Sequence, residues 1–223
     1  MFPRALVVMA KEPRPGRVKT RLSPALTPTQ GAALYAAFLE DLARELPRWD
    51  GSCDLWLAWA DDDGDAPSLH RLFEGPFRMI RQDGATLTDR MEQIFEALFA
   101  RGHRAVVMRN SDSPHLPPRL LREAFEAVEG AAGTVVLGPD LDGGYYLVGM
   151  DAPHAGVFPR TMSTASVYEQ TRAGAEDRGL RVVALDEFLD VDTPDDLAAF
   201  RLEFMDRPDT AHWATRRALE ALP

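Results

Sequence analysis

Short apolar runs that alternate with helix-like segments constrain the fold of this chain more than any other feature. The first run, residues 5–9, reads Ala-Leu-Val-Val-Met, and such a continuous apolar stretch is typical of a strand buried on both faces of a parallel sheet. Residues 28–46 then carry apolar side chains at helical spacing and end before Pro47. A strand followed by a helix is the repeating unit of α/β folds.

The same alternation continues along the rest of the chain. Strands are predicted at residues 54–60, 77–81, 105–108, 134–137, 145–150 and 181–185, and helices at 66–73, 88–100, 117–128, 163–178 and from 193 onward. This order implies right-handed crossovers and a mostly parallel α/β sheet with helices on both faces. No repeat or linker divides the 223 residues. We therefore predict one domain over residues 1–205, with residues 206–223 as its C-terminal helical tail.

Charge and cysteine content limit the class of function. The net charge of −10 and pI near 5.0 argue against a nucleic-acid-binding protein, because such proteins need a basic face. The single cysteine, Cys53, excludes an intrachain disulfide and suits a reducing compartment. No apolar run approaches the roughly 20 residues of a membrane span, and the first residues lack the apolar core of a signal peptide. We expect a cytoplasmic protein without nucleic-acid or membrane partners.

Positive charge is concentrated in the loop that follows the first predicted strand. Only two of the 25 basic residues are lysines, Lys11 and Lys19, and both lie in this loop with Arg14, Arg17 and Arg21. Ligands of α/β sheets bind beyond the carboxyl ends of the strands, which favours a phosphate-binding loop. An exposed basic turn, with lysines placed by codon preference, is the alternative.

The Lys-Thr pair of this loop raises the question of a P-loop. Gly16 and the neighbouring prolines provide turns that let backbone N–H groups approach a ligand. A P-loop, however, requires glycine immediately before the lysine, and Val18 precedes Lys19. The loop therefore suits a polyphosphate without being a P-loop.

A second polar segment, Asn-Ser-Asp-Ser-Pro at residues 110–114, follows the predicted strand at 105–108. Asp112 suits a hard divalent cation, because Mg²⁺ bound to a nucleotide takes one or two protein carboxylates and fills its other positions with phosphate oxygens and water. The alternative is a capping residue for the helix that begins near Pro117. The residues alone leave both interpretations open.

Two later segments also contain candidate site residues. Residues 138–146 read Gly-Pro-Asp-Leu-Asp-Gly-Gly-Tyr-Tyr, which predicts either a hairpin turn or a place where a substrate approaches the backbone. In residues 190–197, the Thr-Pro-Asp-Asp pattern from Thr193 predicts a capped helix start. That cap does not explain Asp190 and Asp192, whose alternation places both carboxylates on one side of an extended segment and suits a second metal contact.

Together these segments resemble a bacterial family, catalogued as a domain of unknown function, within the GT-A superfamily of nucleotide-diphospho-sugar transferases. The family is in turn similar to phospholactate guanylyltransferases and molybdenum-cofactor guanylyltransferases. The matching pieces are residues 11–22, Gln82, Leu87, residues 90–91, 111–114, 138–139 and 142–146, Ser163, Thr164 and residues 190–197. The resemblance implies a single-domain, Rossmann-like GT-A sheet.

The resemblance also implies roles for individual residues. For catalysis it indicates Lys19, Arg21 and Asp112; for nucleotide binding Lys11, Gly16, Lys19, Arg21, Gln82 and Ser111; for substrate binding Asp142, Gly143, Gly144, Tyr145 and Ser163. It implies that Asp112 and Asp192 hold Mg²⁺ or Mn²⁺.

The expected enzyme is a metal-dependent nucleotidyltransferase. It moves a nucleoside monophosphate from a nucleoside triphosphate to a small phosphorylated acceptor and releases pyrophosphate. The alternative is a GT-A glycosyltransferase that uses a nucleotide-diphosphate sugar, with a carboxylate such as Asp142 as base. A third hypothesis is a non-catalytic nucleotide sensor, because Asn110 and Thr88 stand where the family usually has glycine.

Overall fold

Seven strands form one sheet in the residues that the computed structural model describes, which are 2–60, 64–162 and 164–222. The strands are Arg4–Lys11 (β1), Asp54–Ala60 (β2), Phe77–Arg81 (β3), Ala105–Arg109 (β4), Thr134–Pro139 (β5), Tyr145–Met150 (β6) and Arg181–Ala184 (β7). The helices are Pro28–Glu45 (α1), Pro67–Leu72 (α2), Leu87–Ala100 (α3), Pro118–Gly130 (α4), Val167–Glu176 (α5), Pro194–Met205 (α6) and Ala214–Glu220 (α7). The predicted α/β fold class is confirmed.

The strand order creates a switch point at the carboxyl edge of the sheet, between β1 and β4. The order is β3-β2-β1-β4-β6-β5-β7, and β6 runs antiparallel to β4 and β5 whereas the other neighbours are parallel. After β1 the chain first adds β2 and β3 on one side, and then returns to add β4 on the other. The carboxyl ends of β1 and β4 therefore flank a topological switch point, where open α/β sheets bind ligands.

Apolar side chains fill two layers, one on each face of the sheet. Leu6 and Val8 of β1 face a cluster that contains residues of α1, α4, α6 and α7, including Phe38 and Phe200. Ala5 and Val7 face the opposite cluster, to which α3 and α5 contribute. Burial on both faces explains why β1 is a continuous apolar run rather than an alternating one.

The cap of α6 is confirmed. Thr193 Oγ1 accepts from the backbone N–H of Asp196 at 3.3 Å, and Asp196 Oδ2 accepts from the backbone N–H of Thr193 at 2.7 Å. Beyond α6 the expectation of continuous helix is wrong. The backbone at Arg207 is extended before Pro208, because proline disfavours a helical residue in front of it, and a short 3-10 turn leads to α7.

The prediction of a helix from residue 163 is also wrong at its start, since α5 begins at Val167. The first turn of α5 packs against the β5–β6 hairpin: the carbonyl oxygen of Gly143 accepts from the backbone N–H of Tyr168 at 2.9 Å. Ser166 is the N-cap of α5. Ser163 itself lies outside the described residues.

The C-terminal segment is anchored to the first helix. Asp41 on α1 is fully buried and accepts from the backbone N–H groups of Ala214 at 2.8 Å and Thr215 at 2.7 Å, at the start of α7. The division into residues 1–205 and a tail at 206–223 stays a prediction. Among the described residues, no helix combines the length and apolar character needed to cross a membrane.

A buried histidine, His115, lies in the loop between β4 and α4. The ring of His115 packs 4.7 Å from Phe188 and 4.6 Å from Phe200, centroid to centroid. Neither ring nitrogen has a hydrogen-bond partner among the residues that the structure describes. Burial, with a smaller contribution from the charges of Arg207 and Arg109, lowers the pKa of His115 to about 3.

We expect this histidine to destabilise the fold in acid. The unfolded chain binds the proton below a pKa of about 6.5, whereas the folded chain binds it only near pH 3, so stability falls as the pH drops below 6.5. The histidine contributes a loss of about 2 kcal/mol between pH 8 and pH 5. Urea unfolding at both pH values should show a smaller loss in His115→Leu than in the wild type. An equal loss in both proteins would contradict the prediction, and the exposed His70→Leu is the control.

Candidate nucleotide-binding site

A cavity of about 450 Å³ lies at the switch point between β1 and β4. Its walls come from the loop after β1, from α1 and α3, and from the segments after β3, β4 and β7. The lining residues are Met9, Ala10, Lys11, Arg17, Val18, Lys19, Thr20, Arg21, Tyr35, Gln82, Leu87, Asn110, Ser111, Asp112 and Asp192. Predicted site residues from four separate segments therefore meet around one cavity.

Lys19 is the centre of this arrangement. Its Nζ forms an ion pair with Oδ1 of Asp112, lies 3.0 Å from Oδ1 of Asp192, and donates to the carbonyl oxygen of Val191 at 2.7 Å. Only 2% of its side chain is exposed. An ammonium group has three N–H donors, and three protein acceptors surround this one.

The environment of Lys19 keeps it charged. Burial by itself would lower the pKa of Lys19, but the charges of Asp112 and Asp192 outweigh burial and raise the pKa above its ordinary value. The ring centroids of Phe38 and Tyr35 lie 5.6 Å and 5.9 Å from Nζ, within the range of a cation–π contact. The backbone of Lys19 is left-handed, with φ of 50°. Lys19 is thus fixed as an internal counter-ion between two carboxylates.

Arg21 lies nearer the surface of the same site. Its Nη2 is 2.8 Å from Oδ2 of Asp142, and its Nη1 is 3.5 Å from Oδ2 of Asp192. The side chain is 59% exposed, so its guanidinium group is accessible to a ligand. Arg21 joins the loop after β1 to the β5–β6 hairpin.

The capping interpretation of Asp112 is wrong. The N-cap of α4 is Pro117, and no side chain caps that helix. Instead the backbone N–H of Asp112 donates to Oδ1 of Asn110 at 3.2 Å, and the carbonyl oxygen of Asp112 accepts from the backbone N–H of Val191 at 3.2 Å. These bonds join the loop after β4 to the segment before α6, and they direct the carboxylate of Asp112 to Lys19.

Ser111 connects three elements within the cavity wall. Its Oγ is 2.6 Å from the hydroxyl oxygen of Tyr35 on α1, and that oxygen accepts from the backbone N–H of Lys11 at 3.2 Å. Burial raises the pKa of Tyr35 to about 12, so the phenol remains neutral. The helical spacing of residues 28–46 predicts only that Tyr35 lies on α1; its place in this wall depends on which loops the fold brings against it.

Asp190 and Asp192 have different partners, and so they do not form one pair of metal-facing carboxylates. Asp192 contacts Lys19 and Arg21, whereas Asp190 accepts from Nδ2 of Asn110 at 2.5 Å and from the hydroxyl of Ser113. Burial, together with the charge of Asp112, raises the pKa of Asp190 to about 7. Asp190 therefore holds the loop after β4, and of the two aspartates only Asp192 lines the cavity at the switch point.

The glycine-rich segment forms a hairpin turn. Oδ1 of Asp140 accepts from the backbone N–H groups of Asp142 at 3.0 Å and Gly144 at 2.7 Å. Gly143 has φ of +85°, and a Cβ atom there would lie 2.1 Å from the carbonyl oxygen of Ala165. A side chain at this position would clash with Ala165. Glycine is therefore needed for the hairpin to pack against the segment before α5.

Three further predicted residues, Gln82, Gly16 and Tyr145, lie in different parts of the fold. Gln82 is buried and its Nε2 donates to the carbonyl oxygens of Ala10 at 3.2 Å and Ala58 at 2.7 Å, so its amide nitrogen ties β1 to β2. Gly16 is at an exposed turn with φ of +74° and open space around its Cα. Tyr145 is half-buried beside the next cavity along the sheet edge.

The two positions that depart from the family pattern cause no visible distortion. Among the described residues other than glycine, only Lys19 and Ser52 have positive φ. Thr88 lies inside α3 and its hydroxyl donates to the carbonyl oxygen of Pro159. Neither Asn110 nor Thr88 therefore needs the conformational freedom of glycine.

The carboxylates fit a cation that brings most of its own ligands. In the described part of the chain, no three side chains of His, Cys, Asp or Glu are grouped so that they could hold a metal ion by themselves. Asp112 and Asp192 line the cavity with side chains 31% and 38% exposed. One or two carboxylates are what Mg²⁺ takes from the protein when phosphates and water complete its shell.

Comparison with solved structures identifies similar folds. A candidate nucleotide-diphospho-sugar transferase from Desulfovibrio desulfuricans G20 superposes with a TM-score of 0.87 and 29% identity, covering 100% of this chain and 97% of that one. A nucleotidyl transferase from Methanothermobacter thermautotroptrophicus has a TM-score of 0.57 and 16% identity, covering 91% of this chain and 97% of that one. A 4-diphosphocytidyl-2C-methyl-D-erythritol synthase from Anaerococcus prevotii has a TM-score of 0.58 and 13% identity, covering 92% and 96%.

A search of curated protein sequences found no match to this chain. The comparison with protein families gives one match, over residues 46–164. This match and the similar folds confirm the resemblance indicated by the motifs. The chain belongs to the DUF2064 family, described as uncharacterized proteins conserved in bacteria.

Proposed function

We propose that this protein is a metal-dependent nucleotidyltransferase, which moves a nucleoside monophosphate from a nucleoside triphosphate to a small phosphorylated acceptor. The observation that carries the proposal is the cavity in which Lys11, Arg17 and Arg21 from one loop face Asp112 and Asp192 from two others. Basic side chains bind phosphate oxygens, and the carboxylates suit a phosphate-bound divalent cation. The similar structures named as a nucleotidyl transferase and a candidate nucleotide-diphospho-sugar transferase support a transferase.

In the proposed reaction, an oxygen of the acceptor phosphate attacks the α-phosphorus in line. The bond from that phosphorus to the bridging oxygen breaks, and pyrophosphate leaves with the bond electrons. Mg²⁺ or Mn²⁺, held by Asp112 and Asp192, would neutralise charge on the phosphate oxygens. Arg21, with its exposed guanidinium group, would stabilise the charge that develops on the leaving pyrophosphate.

The contacts of Lys19 support a role other than the phosphate contact predicted from the sequence. Its three donors are already directed to Asp112, Asp192 and the carbonyl of Val191. We therefore assign Lys19 as a positioning residue, which holds the carboxylates of Asp112 and Asp192 at the cavity, where they would bind a nucleotide-bound cation. Direct binding of phosphate by Lys19 would require one of these contacts to break.

Glycosyl transfer from a nucleotide-diphosphate sugar is the second candidate. It is favoured by the acidic cavity of about 440 Å³ beside Arg21, whose lining includes Asp140, Asp142 and Asp190. A half-exposed carboxylate such as Asp142 could serve as the base that activates an acceptor hydroxyl.

Incubation with each nucleoside triphosphate, Mg²⁺ or Mn²⁺ and pooled phosphorylated metabolites tests the proposal. Pyrophosphate release that requires both the acceptor and the metal is the expected result. Turnover of a nucleotide-diphosphate sugar without pyrophosphate would establish glycosyl transfer instead. Tight nucleotide binding with no product from any acceptor would support the non-catalytic sensor.

A further inference from the structure

A second cavity, of about 270 Å³, adjoins the first along the sheet edge. Four of the eight methionines in the chain line it: Met9, Met91, Met108 and Met162. Leu147 and Val148 of β6 add further apolar surface. Small-molecule sites usually measure about 300–1,000 Å³, so this cavity suits one group of a ligand rather than a whole nucleotide.

Three polar side chains at this cavity, those of Arg109, Tyr146 and Asp140, are bonded to protein partners, whereas the buried hydroxyl of Tyr145 has no hydrogen-bond partner among the described residues. The guanidinium of Arg109 donates to the carbonyl oxygens of Asn110, at 3.0 Å, and Ser113. The hydroxyl of Tyr146 donates to the carbonyl oxygen of Asp186 at 2.9 Å, and Asp140 Oδ1 accepts two backbone N–H groups of the hairpin. Arg109, Tyr146 and Asp140 therefore have fewer donors and acceptors left for the hydrogen-bonding edge of a base or the hydroxyls of a sugar.

Methionine is suited to such a wall. Its unbranched, polarizable side chain adapts to apolar groups of irregular shape, and it is frequent at binding surfaces that accommodate several ligands. Met162 and Met9 are partly exposed, whereas Met91 and Met108 are buried. The cavity is thus apolar at its base and accessible at its rim.

The two cavities share part of their walls. Met9, Leu87, Asn110 and Asp192 line both of them. A phosphate placed at Asp192 for attack on the nucleotide would therefore leave its ester group beside the methionines. This shared wall argues for the acceptor as occupant, because the basic loop on the other side of Asp192 suits the triphosphate.

We propose that the second cavity binds the ester group of the acceptor, and that the acceptor is a phosphate monoester of an apolar alkyl or aryl group rather than a polyol phosphate. The inference rests on the proposed nucleotidyl transfer. The phosphate monoester forms the new bond to the α-phosphorus, pyrophosphate leaves, and the product is a diphosphate that joins the nucleoside to the apolar group.

The test compares phenyl phosphate with glycerol 3-phosphate as acceptors for the wild-type protein. Pyrophosphate release should show a kcat/KM at least tenfold higher for phenyl phosphate. Methyl-¹³C-methionine NMR supplies a readout that does not depend on turnover. In the presence of nucleotide, phenyl phosphate should shift the methyl signals of Met91 and Met162, whereas that of Met205 should not move.

A matched pair of variants locates the effect. Met162→Gln keeps a similar side-chain length but places an amide in the apolar wall, and we expect about a tenfold higher KM for phenyl phosphate with an unchanged KM for the nucleotide. Met162→Leu should remain within about threefold of the wild type, since it keeps an apolar side chain. Met205→Gln, a partly buried methionine outside this cavity, should change neither constant.

The outcomes separate this inference from the proposed function. Pyrophosphate release that is equally fast with glycerol 3-phosphate would overturn the inference and leave nucleotidyl transfer intact. Methionine shifts without pyrophosphate from any acceptor would overturn nucleotidyl transfer, and with it the identification of the bound phosphate as acceptor. Shifts caused by the nucleotide alone, with none added by phenyl phosphate, would assign the cavity to the base and overturn the inference.

Discussion

Asp112→Asn should reduce kcat/KM for pyrophosphate release about 10³-fold. Asparagine keeps the shape of the side chain but removes the charge that faces Lys19 and the cavity. Stabilisation of transferred charge by a protein-held cation contributes several kcal/mol to such reactions, and 10³-fold corresponds to about 4 kcal/mol. Binding of Mn²⁺ in the presence of nucleotide, followed by electron paramagnetic resonance, should weaken in parallel.

Asp195→Asn is the matched control for this prediction. Asp195 is an exposed carboxylate in the first turn of α6, three positions from Asp192, and its replacement changes the net charge by the same amount. We expect its activity to stay within about twofold of the wild type, as for a surface substitution. If Asp112→Asn also kept activity within that range while remaining folded, Asp112 would not hold the metal.

Lys19→Met should destabilise the protein by about 3 kcal/mol, the size expected when one member of a buried ion pair is removed. The ammonium group is 2% exposed and contacts two carboxylates and a carbonyl. Its loss leaves Asp112 and Asp192 close together without their shared counter-ion. A free-energy change of this size corresponds to a melting temperature lower by roughly 6–12 °C for a domain of this length.

Two comparisons make the Lys19 result specific. Lys11→Met removes the other lysine, which is exposed at the end of β1, and should change the melting temperature by less than about 2 °C. Lys19→Arg should not restore stability, because a planar guanidinium does not match the three acceptors arranged around a compact ammonium. Adding Mn²⁺ should recover part of the loss in Lys19→Met. A variant as stable as the wild type would refute the internal counter-ion.

Local sequence patterns predicted much of the fold, because strand burial, helical periodicity and helix capping depend mainly on residues close together in the sequence. The alternation of apolar runs and helical periodicity indicated the strands and most helices, and Thr193 with Asp196 indicated the start of α6. The start of α5 was missed, because it depends on the packing of the preceding segment against Gly143 in a distant hairpin. Periodicity within a window carries no information about such a contact.

The candidate site was likewise predicted from the sequence only in part. The sequence placed Lys19, Arg21, Asp112 and Asp192 after strands, and parallel strands bring such positions to one edge. It did not show that the donors of Lys19 would be directed to carboxylates, that Asp190 and Asp192 would contact different partners, or that four methionines would line one cavity.

By itself, then, the sequence determined the α/β class, the family resemblance and the segments that line the cavity at the carboxyl edge of the sheet. Only the tertiary structure decided which charges neutralise one another. Lys19 and Val191 are separated by 172 positions yet are hydrogen-bonded, because the strand order places β1 beside β4 and brings the segment after β7 across both. A charge in a loop has no fixed partner until such long-range packing excludes water and supplies one.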